Sequence, residues 1–197
     1  MEILYQCRDF VAAVKPIGLS SEDGAGSFPE ALRQLLGGEI YPIHRLDLNV
    51  GGVMVYARSK AAAAVLSTAI QNGDFVKEYR ALVHGMPPES GDWTDLLFKD
   101  SRKNKVFVVN RQRSGVKKAR LEFVRLSAGE ISQVHIRLHT GRSHQIRVQF
   151  ASRGFPLVGD HKYGARDKEP APRLFSCRVS FPWKGQTMEF SALPDWA

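Results

Sequence analysis

At 197 residues and 22.0 kDa the chain has the size of one large domain or two small ones, so a multi-domain machine is excluded. Hydrophobic residues at 43% and charged residues at 24%, with 17 Gly and 10 Pro, give a globular balance and exclude a disordered or fibrous chain. The formal net charge of +8 fits either a polyanionic partner or a solvated basic face. Position separates the two. Between Lys99 and Arg125 ten basic residues face two acidic ones, so this segment alone carries a net charge equal to that of the whole chain. Uniform solubilisation does not require such concentration, and a nucleic-acid footprint is favoured.

No apolar run approaches the roughly 20 residues that span a bilayer, and MEILYQCRDF lacks the basic-then-apolar layout of a secretory signal. A cytoplasmic location without membrane association is expected. Cys7 and Cys177, the two cysteines, are far apart, so buried reduced thiols are expected rather than a disulfide framework or a thiolate zinc site.

Along the chain, ILYQ and FVAAVK read as short strands, followed by a Gly/Ser-rich loop from Pro16 to Gly26 expected to be mobile. Ser27, with Pro29 just inside, opens a helix EALRQLL closed by Gly37 and Gly38. HRLDLNVGG leads into the buried-strand run VMVYA. Ser59 caps the helix KAAAAVLSTAIQN, which stops at Gly73 and packs through Ala62, Val65, Leu66, Ala69 and Ile70. Strands KEYRALVHG, KVFVVN, ARLEFVRL and SQVHIRLHT follow, the last alternating Val134, Ile136 and Leu138 with His135, Arg137 and His139. A helix is expected from Ser143 to Arg153 with Gly154 as its stop, then strands LFSCRVSF and TMEFSAL. The pattern predicts one α+β domain over 1–197, a mixed, largely antiparallel sheet with a few flanking helices. Neither a GxGxxG turn nor a phosphate-binding GxxxxGKS/T loop is present.

Three segments carry the candidate chemistry. Asp47 stands beside His44 and Arg45 at the head of a Gly-rich turn, where an Asp often only forms the turn. Tyr79 lies in a strand, where an aromatic usually packs. In LHTGRSHQIRVQF, Ser143 is placed to cap a helix whose first turn gathers Arg142, His144 and Arg147, an expected anion site. The histidines at 135, 139 and 144 lack a Cys or carboxylate at ligand spacing, so no metal is expected.

Together these segments resemble the RluA/RsuA-like pseudouridine synthases, particularly the RluA-type catalytic domain. HRLDLNVGGVMVYARSKAAA is similar to that family's HRLDxxTSG-apolar-AK segment and KEYRALVHG to its K-x-Y-x-A-x-V-x-G strand. LHTGRSHQIRVQFASRGFPLVGDHKYG, from Leu138 to Gly164, is similar to its L-x-TGR-x-HQIR…G-x-P-x-x-GD-x-x-YG segment. The resemblance runs in order from VKPIGL to LFSCRVSF. It implies an enzyme that isomerises uridine to pseudouridine in rRNA or tRNA with no cofactor and no metal. It assigns Asp47 as the catalytic aspartate, Tyr79 as the aromatic stacking on the base and Arg147 as the arginine pairing with the aspartate. His44 and Arg45 flank that loop as expected RNA contacts, and Arg142 and His144 of the expected anion site are expected to bind RNA as well. Val50 and Gly51 stand where the family usually has Thr-Ser or Thr-Thr, and Phe175-Ser176 where it often has His-Ala. The small N-terminal RNA-binding domain of many relatives is not among these residues, so target selection is expected from this domain or from another protein.

The expected oligomeric state is a monomer, since no exposed apolar stripe is evident in the sequence. Two other readings stay open at this level: a non-catalytic RNA-binding module, and a hydrolase of N-glycosidic bonds, which also wants a carboxylate beside ribose. The basic segment is expected to grip phosphates through Lys103, Lys105, Lys117 and Lys118. Changing these four to Gln should weaken RNA binding and flatten its fall with salt by roughly one unit of log–log slope for each phosphate no longer neutralised. Filter binding across a salt series measures this, and an unchanged slope removes the segment from the interface.

Overall fold

The computed structural model describes residues 1–197, which form two compact units. The first comprises Met1–Glu78 and Phe175–Ala197, the second Tyr79–Leu174.

In the first unit, β1 (Glu2–Gln6) and β2 (Phe10–Lys15) pair antiparallel, and β2 pairs antiparallel with β4 (Gly51–Ala57). A two-residue strand β3 (Tyr41–Pro42) adds to β4. Between β2 and β3 lies α1 (Phe28–Leu36). The Ser27 hydroxyl accepts from the Glu30 N–H while the Glu30 carboxylate accepts from the Gly26 N–H, so one donor of the first turn and one just before the cap are satisfied. α2 (Lys60–Asn72) starts and stops where Ser59 and a left-handed Gly73 place it. It turns Ala62, Leu66 and Ala69 inward, whereas Val65, expected on the same face, is 53% exposed. These residues meet Phe10, Val53, Val55, Phe75, Val179 and Phe181 in one core. The stack of Phe75 on Phe181, with ring centroids 5.1 Å apart, sits within it. β10 (Leu174–Trp183) runs parallel to β4 at Phe175–Ser176 and antiparallel to β11 (Gln186–Ser191). That one parallel pairing makes the sheet mixed.

β5 (Val76–His84) carries the chain across the boundary at Tyr79. In the second unit the strand order is β5, β9 (Ile131–Leu138), β8 (Val116–Arg125), β6 (Ser90–Asp100) and β7 (Lys105–Val109). β6 was not expected: SGDWTDLLFKD carries four charges and alternates poorly, yet the strand pairs antiparallel along β8 and β7. α3 is short, Gln145–Ala151, and presents Ile146 and Phe150 to the core, where Phe150 packs on Trp93 and Phe123. It begins on His144, in the left-handed region at φ 50°, with no side-chain cap. The expected start at Ser143 is thereby corrected; Gly154, left-handed, does close the segment.

Close approach fixes one glycine in the first unit. A Cβ on Gly52 would lie 2.4 Å from the backbone N and O of Ser176, and its φ of 124° disfavours any side chain. Here Ser176 settles the packing of the Phe175-Ser176 departure, since its hydroxyl donates to the Val53 carbonyl. Gly52→Ala should therefore destabilise the protein by about 4 kcal/mol or more, measured by denaturant unfolding, well above the typical single substitution.

Candidate active site

The loop from His44 to Val50 is held by backbone and buried polar contacts within the first unit. The Asp47 carbonyl accepts from the Val50 N–H at 3.0 Å, closing the turn through the main chain. On one side of Asp47, the Ser21 hydroxyl donates to the Leu46 carbonyl at 2.9 Å and accepts from the Leu46 N–H at 3.1 Å. On the other, the Leu48 carbonyl accepts from the Gly18 N–H at 2.9 Å and, more distantly, from the Lys15 ammonium at 3.5 Å. The segment Pro16–Gly26, expected to be mobile, is thus tied to the loop. Tyr56, fully buried on β4, donates to the Ser21 carbonyl at 3.3 Å.

Lys15 is a site residue that sequence reasoning missed. It ends β2 with no exposed surface, and its ammonium donates to the carbonyls of Pro16 at 2.8 Å and Leu19 at 2.9 Å. Burial pushes its pKa down to about 8, against the opposing pull of the Asp47 charge. Lysine is rarely buried, so a terminal Lys on an apolar strand reads as a snorkelling end rather than as an interior charge. Val50 is buried, and a Cβ on Gly51 would meet the Lys15 carbonyl at 3.2 Å, so the positions where the family carries hydroxyls are packed against this lysine's strand.

His44 departs from its expected place. Its Nε2 accepts from the Val55 N–H at 3.2 Å, its Nδ1 is buried, and its ring packs 5.2 Å from Phe75. Burial, reinforced by the Lys77 charge, lowers its pKa to about 3, so the ring is neutral. With both ring nitrogens turned inward, a hydrogen bond from His44 to RNA is not available in this arrangement. Arg45 is exposed and pairs with Glu22 at 3.2 Å, an ion pair open to exchange for a phosphate.

In the second unit, Arg147 is 8% exposed and its Nε and Nη2 each donate to Asp160 at 2.7 Å. Asp160 is 1% exposed, so a buried fork fixes the guanidinium plane. Tyr163, from the short 3-10 helix His161–Tyr163, has two cations over its ring: the Arg147 guanidinium and the Lys105 ammonium are each 5.2 Å from its centroid. Its hydroxyl pairs with His144 Nδ1 at 2.8 Å and accepts from the Val106 N–H at 2.8 Å. His144 and Arg147 therefore meet on Tyr163, which sequence reasoning missed, as it did Asp160. Tyr79 is buried at 5% exposure. The anion site expected at the helix start is not built as foreseen: Arg142 donates to the Lys118 carbonyl at 3.0 Å, and its N–H bonds the Gln145 side chain at 3.0 Å.

The basic segment is divided by the sheet. Lys103, Lys117 and Lys118 are exposed, but Lys117 opposes Leu97 and Lys118 opposes Leu96, so the two lysines leave opposite faces of β8. Arg120 is held by Asp92 at 2.8 Å and Glu122 at 2.7 Å.

A family model described as RNA pseudouridylate synthase matches residues 9–152, most of the chain. The chain belongs to this family. It is similar, at 30% identity over 98% of its length and 93% of that protein's, to a dual-specificity RNA pseudouridine synthase RluA of Escherichia coli strain K12. It is also similar, at 38% identity over 66% of the chain, to an RNA pseudouridine synthase of Chloroflexus aurantiacus. A ribosomal large subunit pseudouridine synthase D of Vibrio cholerae matches at 31% identity over 86% of the chain. The chain spans about half the length of these last two, 42% and 55%. Among solved structures, human RNA pseudouridylate synthase domain containing 1 shares the fold at a TM-score of 0.86 and 23% identity, covering 100% of this chain and 84% of that one. Within the family's α+β fold, the Asp47 loop, the Tyr79 strand and the segment holding the Arg147 fork are the ones that carried the resemblance.

The Lys15 charge sets a pH dependence. Unfolded, its pKa is near 10.5; folded, it is about 8. Between these values the unfolded chain holds the extra proton, so this group's contribution to stability rises with pH. Below about 8 it is constant. The unfolding free energy of the wild type minus that of Lys15→Met should increase by about 2 kcal/mol from about pH 7 to about pH 10, measured by denaturant titration.

Proposed function

We propose that the chain is an RNA pseudouridine synthase acting without a cofactor on structured RNA, rRNA or tRNA, with Asp47 as the catalytic carboxylate. One observation carries the reading: the family's aspartate stands on a loop pinned on both sides, beside a buried ammonium. A ribosomal large subunit enzyme among the relatives supports rRNA as a substrate. No helix is long and apolar enough to cross a membrane; a cytoplasmic site of action belongs to the proposal. In this proposal residues 1–197 work as one catalytic domain and as a monomer.

The reaction breaks the bond from N1 of uracil to C1′ of ribose, turns the base and joins C5 to C1′. The C5 proton is lost and N1 gains one, so atoms and electrons balance without a co-reactant. A base within a helix cannot turn, so the uridine must be extruded at a cost of a few kcal/mol. Tyr79 offsets that by stacking, worth about 1–3 kcal/mol per base. Asp47 acts on the ribose or base, with Arg147 carried over from the resemblance as the guanidinium that favours its ionised form. Arg45, Arg142, His144, Lys103, Lys105, Lys117 and Lys118 contact RNA in this reading, and His44 instead shapes the loop.

Asp47→Asn keeps the shape and removes the charge. Pseudouridine formation should fall by about 10³-fold or more while RNA affinity stays within about twofold. RNA binding with no pseudouridine formed by either the wild type or the variant would leave the non-catalytic RNA-binding module, and free uracil among the wild-type products would identify a hydrolase.

A further inference from the structure

The two amide planes that flank a Cα define its φ and ψ, and through them the direction of its side chain. At Asp47 both planes are held. The plane that follows is fixed by the Asp47 carbonyl, which accepts from the Val50 N–H at 3.0 Å. The plane that precedes is fixed by the Leu46 carbonyl, which accepts from the Ser21 hydroxyl at 2.9 Å. The same hydroxyl accepts from the Leu46 N–H at 3.1 Å, so one oxygen holds the plane on each side of Leu46. Ser21 is 25 residues away in sequence and 2% exposed, buried within a segment whose next five residues, Glu22 to Gly26, are exposed. Its carbonyl is held in turn by the Tyr56 hydroxyl at 3.3 Å, and the preceding Ser20 carbonyl accepts from the Phe28 N–H at 2.9 Å. Ser21 is therefore anchored to β4 and to the start of α1 and passes that rigidity to one peptide plane.

We infer that Ser21 is a positioning residue for the reaction: its hydroxyl aims the Asp47 carboxylate by clamping Leu46. This rests on the reading of Asp47 as the reacting carboxylate. The clamp acts on orientation and not on RNA affinity, because Ser21 has almost no surface to offer a ligand. Misplacement of a reacting group by about 1 Å can lower a rate about 10²-fold. Releasing one of two planes should lie at or below that.

Ser21→Thr and Ser21→Val have the same shape and differ in the hydroxyl alone, and Ser21→Ala removes it without adding volume. Single-turnover kinetics and RNA binding are measured on the full chain for these variants and for Asp47→Asn, with thermal unfolding recorded for each. Ser21→Ala and Ser21→Val should lose about 10- to 100-fold in the catalytic rate with RNA affinity within about twofold, and Ser21→Thr should recover most of the rate lost by Ser21→Val. The inference is overturned if Ser21→Ala keeps the wild-type rate while Asp47→Asn is inactive. It is equally overturned if the variants are unfolded at the assay temperature, or lose rate and RNA affinity together, since Ser21 would then serve the fold. Should Asp47→Asn itself stay active, the reading of Asp47 fails, and that result is distinct from the others.

Discussion

An ammonium group with no exposed surface constrains the two segments around the Asp47 loop. Lys15 keeps its charge inside the first unit only because carbonyl oxygens from the segment after β2 and from the Asp47 loop turn toward it. Carbonyls committed in this way cannot join a regular ladder or face water, so both segments take irregular paths that meet. The loop conformation is thus one solution to the problem of solvating a buried cation, and the carboxylate of Asp47 supplies the opposite charge nearby. Apolar packing by Val50 and the bare backbone of Gly51 close the space above the lysine's strand.

The second unit answers a similar problem with a different device. There the buried cation is a guanidinium, and a carboxylate rather than carbonyls satisfies it. The fork from Arg147 to Asp160 is planar and two-pronged, so it sets direction as well as charge. Tyr163 adds a flat surface against the guanidinium and ties it to the start of β7 through Lys105 and the Val106 N–H. Losing either partner of the fork would strand a buried charge, which makes the pair restrictive even where its net contribution to stability is small.

Much of this was legible in the residue pattern. Ser59, Gly73, Ser27 and Gly37 mark helix ends because capping is local chemistry, and the strands with strong apolar character were read where they lie. β6 escaped because its place in the sheet comes from partners on both sides and not from its own alternation. Val65 has helical spacing but sits at the margin of the buried face, which periodicity alone does not resolve. At the site, motif order singled out Asp47 and Arg147, while Lys15, Ser21 and Tyr163 escaped because their roles depend on what the fold brings beside them. Arg120 shows the converse. It counts toward the basic segment, but Asp92, from outside that segment, neutralises it.

The Pro16–Gly26 segment is two-toned. Ser21, and Ser27 just beyond the segment, face inward, whereas Glu22 to Gly26 are exposed and include the ion pairs of Glu22 with Arg45 and Asp23 with Arg33. Surface pairs of this kind contribute about 0–1 kcal/mol, and lengthening such a tip adds little closure entropy. The tip can accordingly be recoded or extended while its two inward anchors stay put. Evolution, or a protein engineer, has here an exposed tip joined to a buried anchor, so that its surface chemistry can be rewritten without loosening the Ser21 bonds to Leu46.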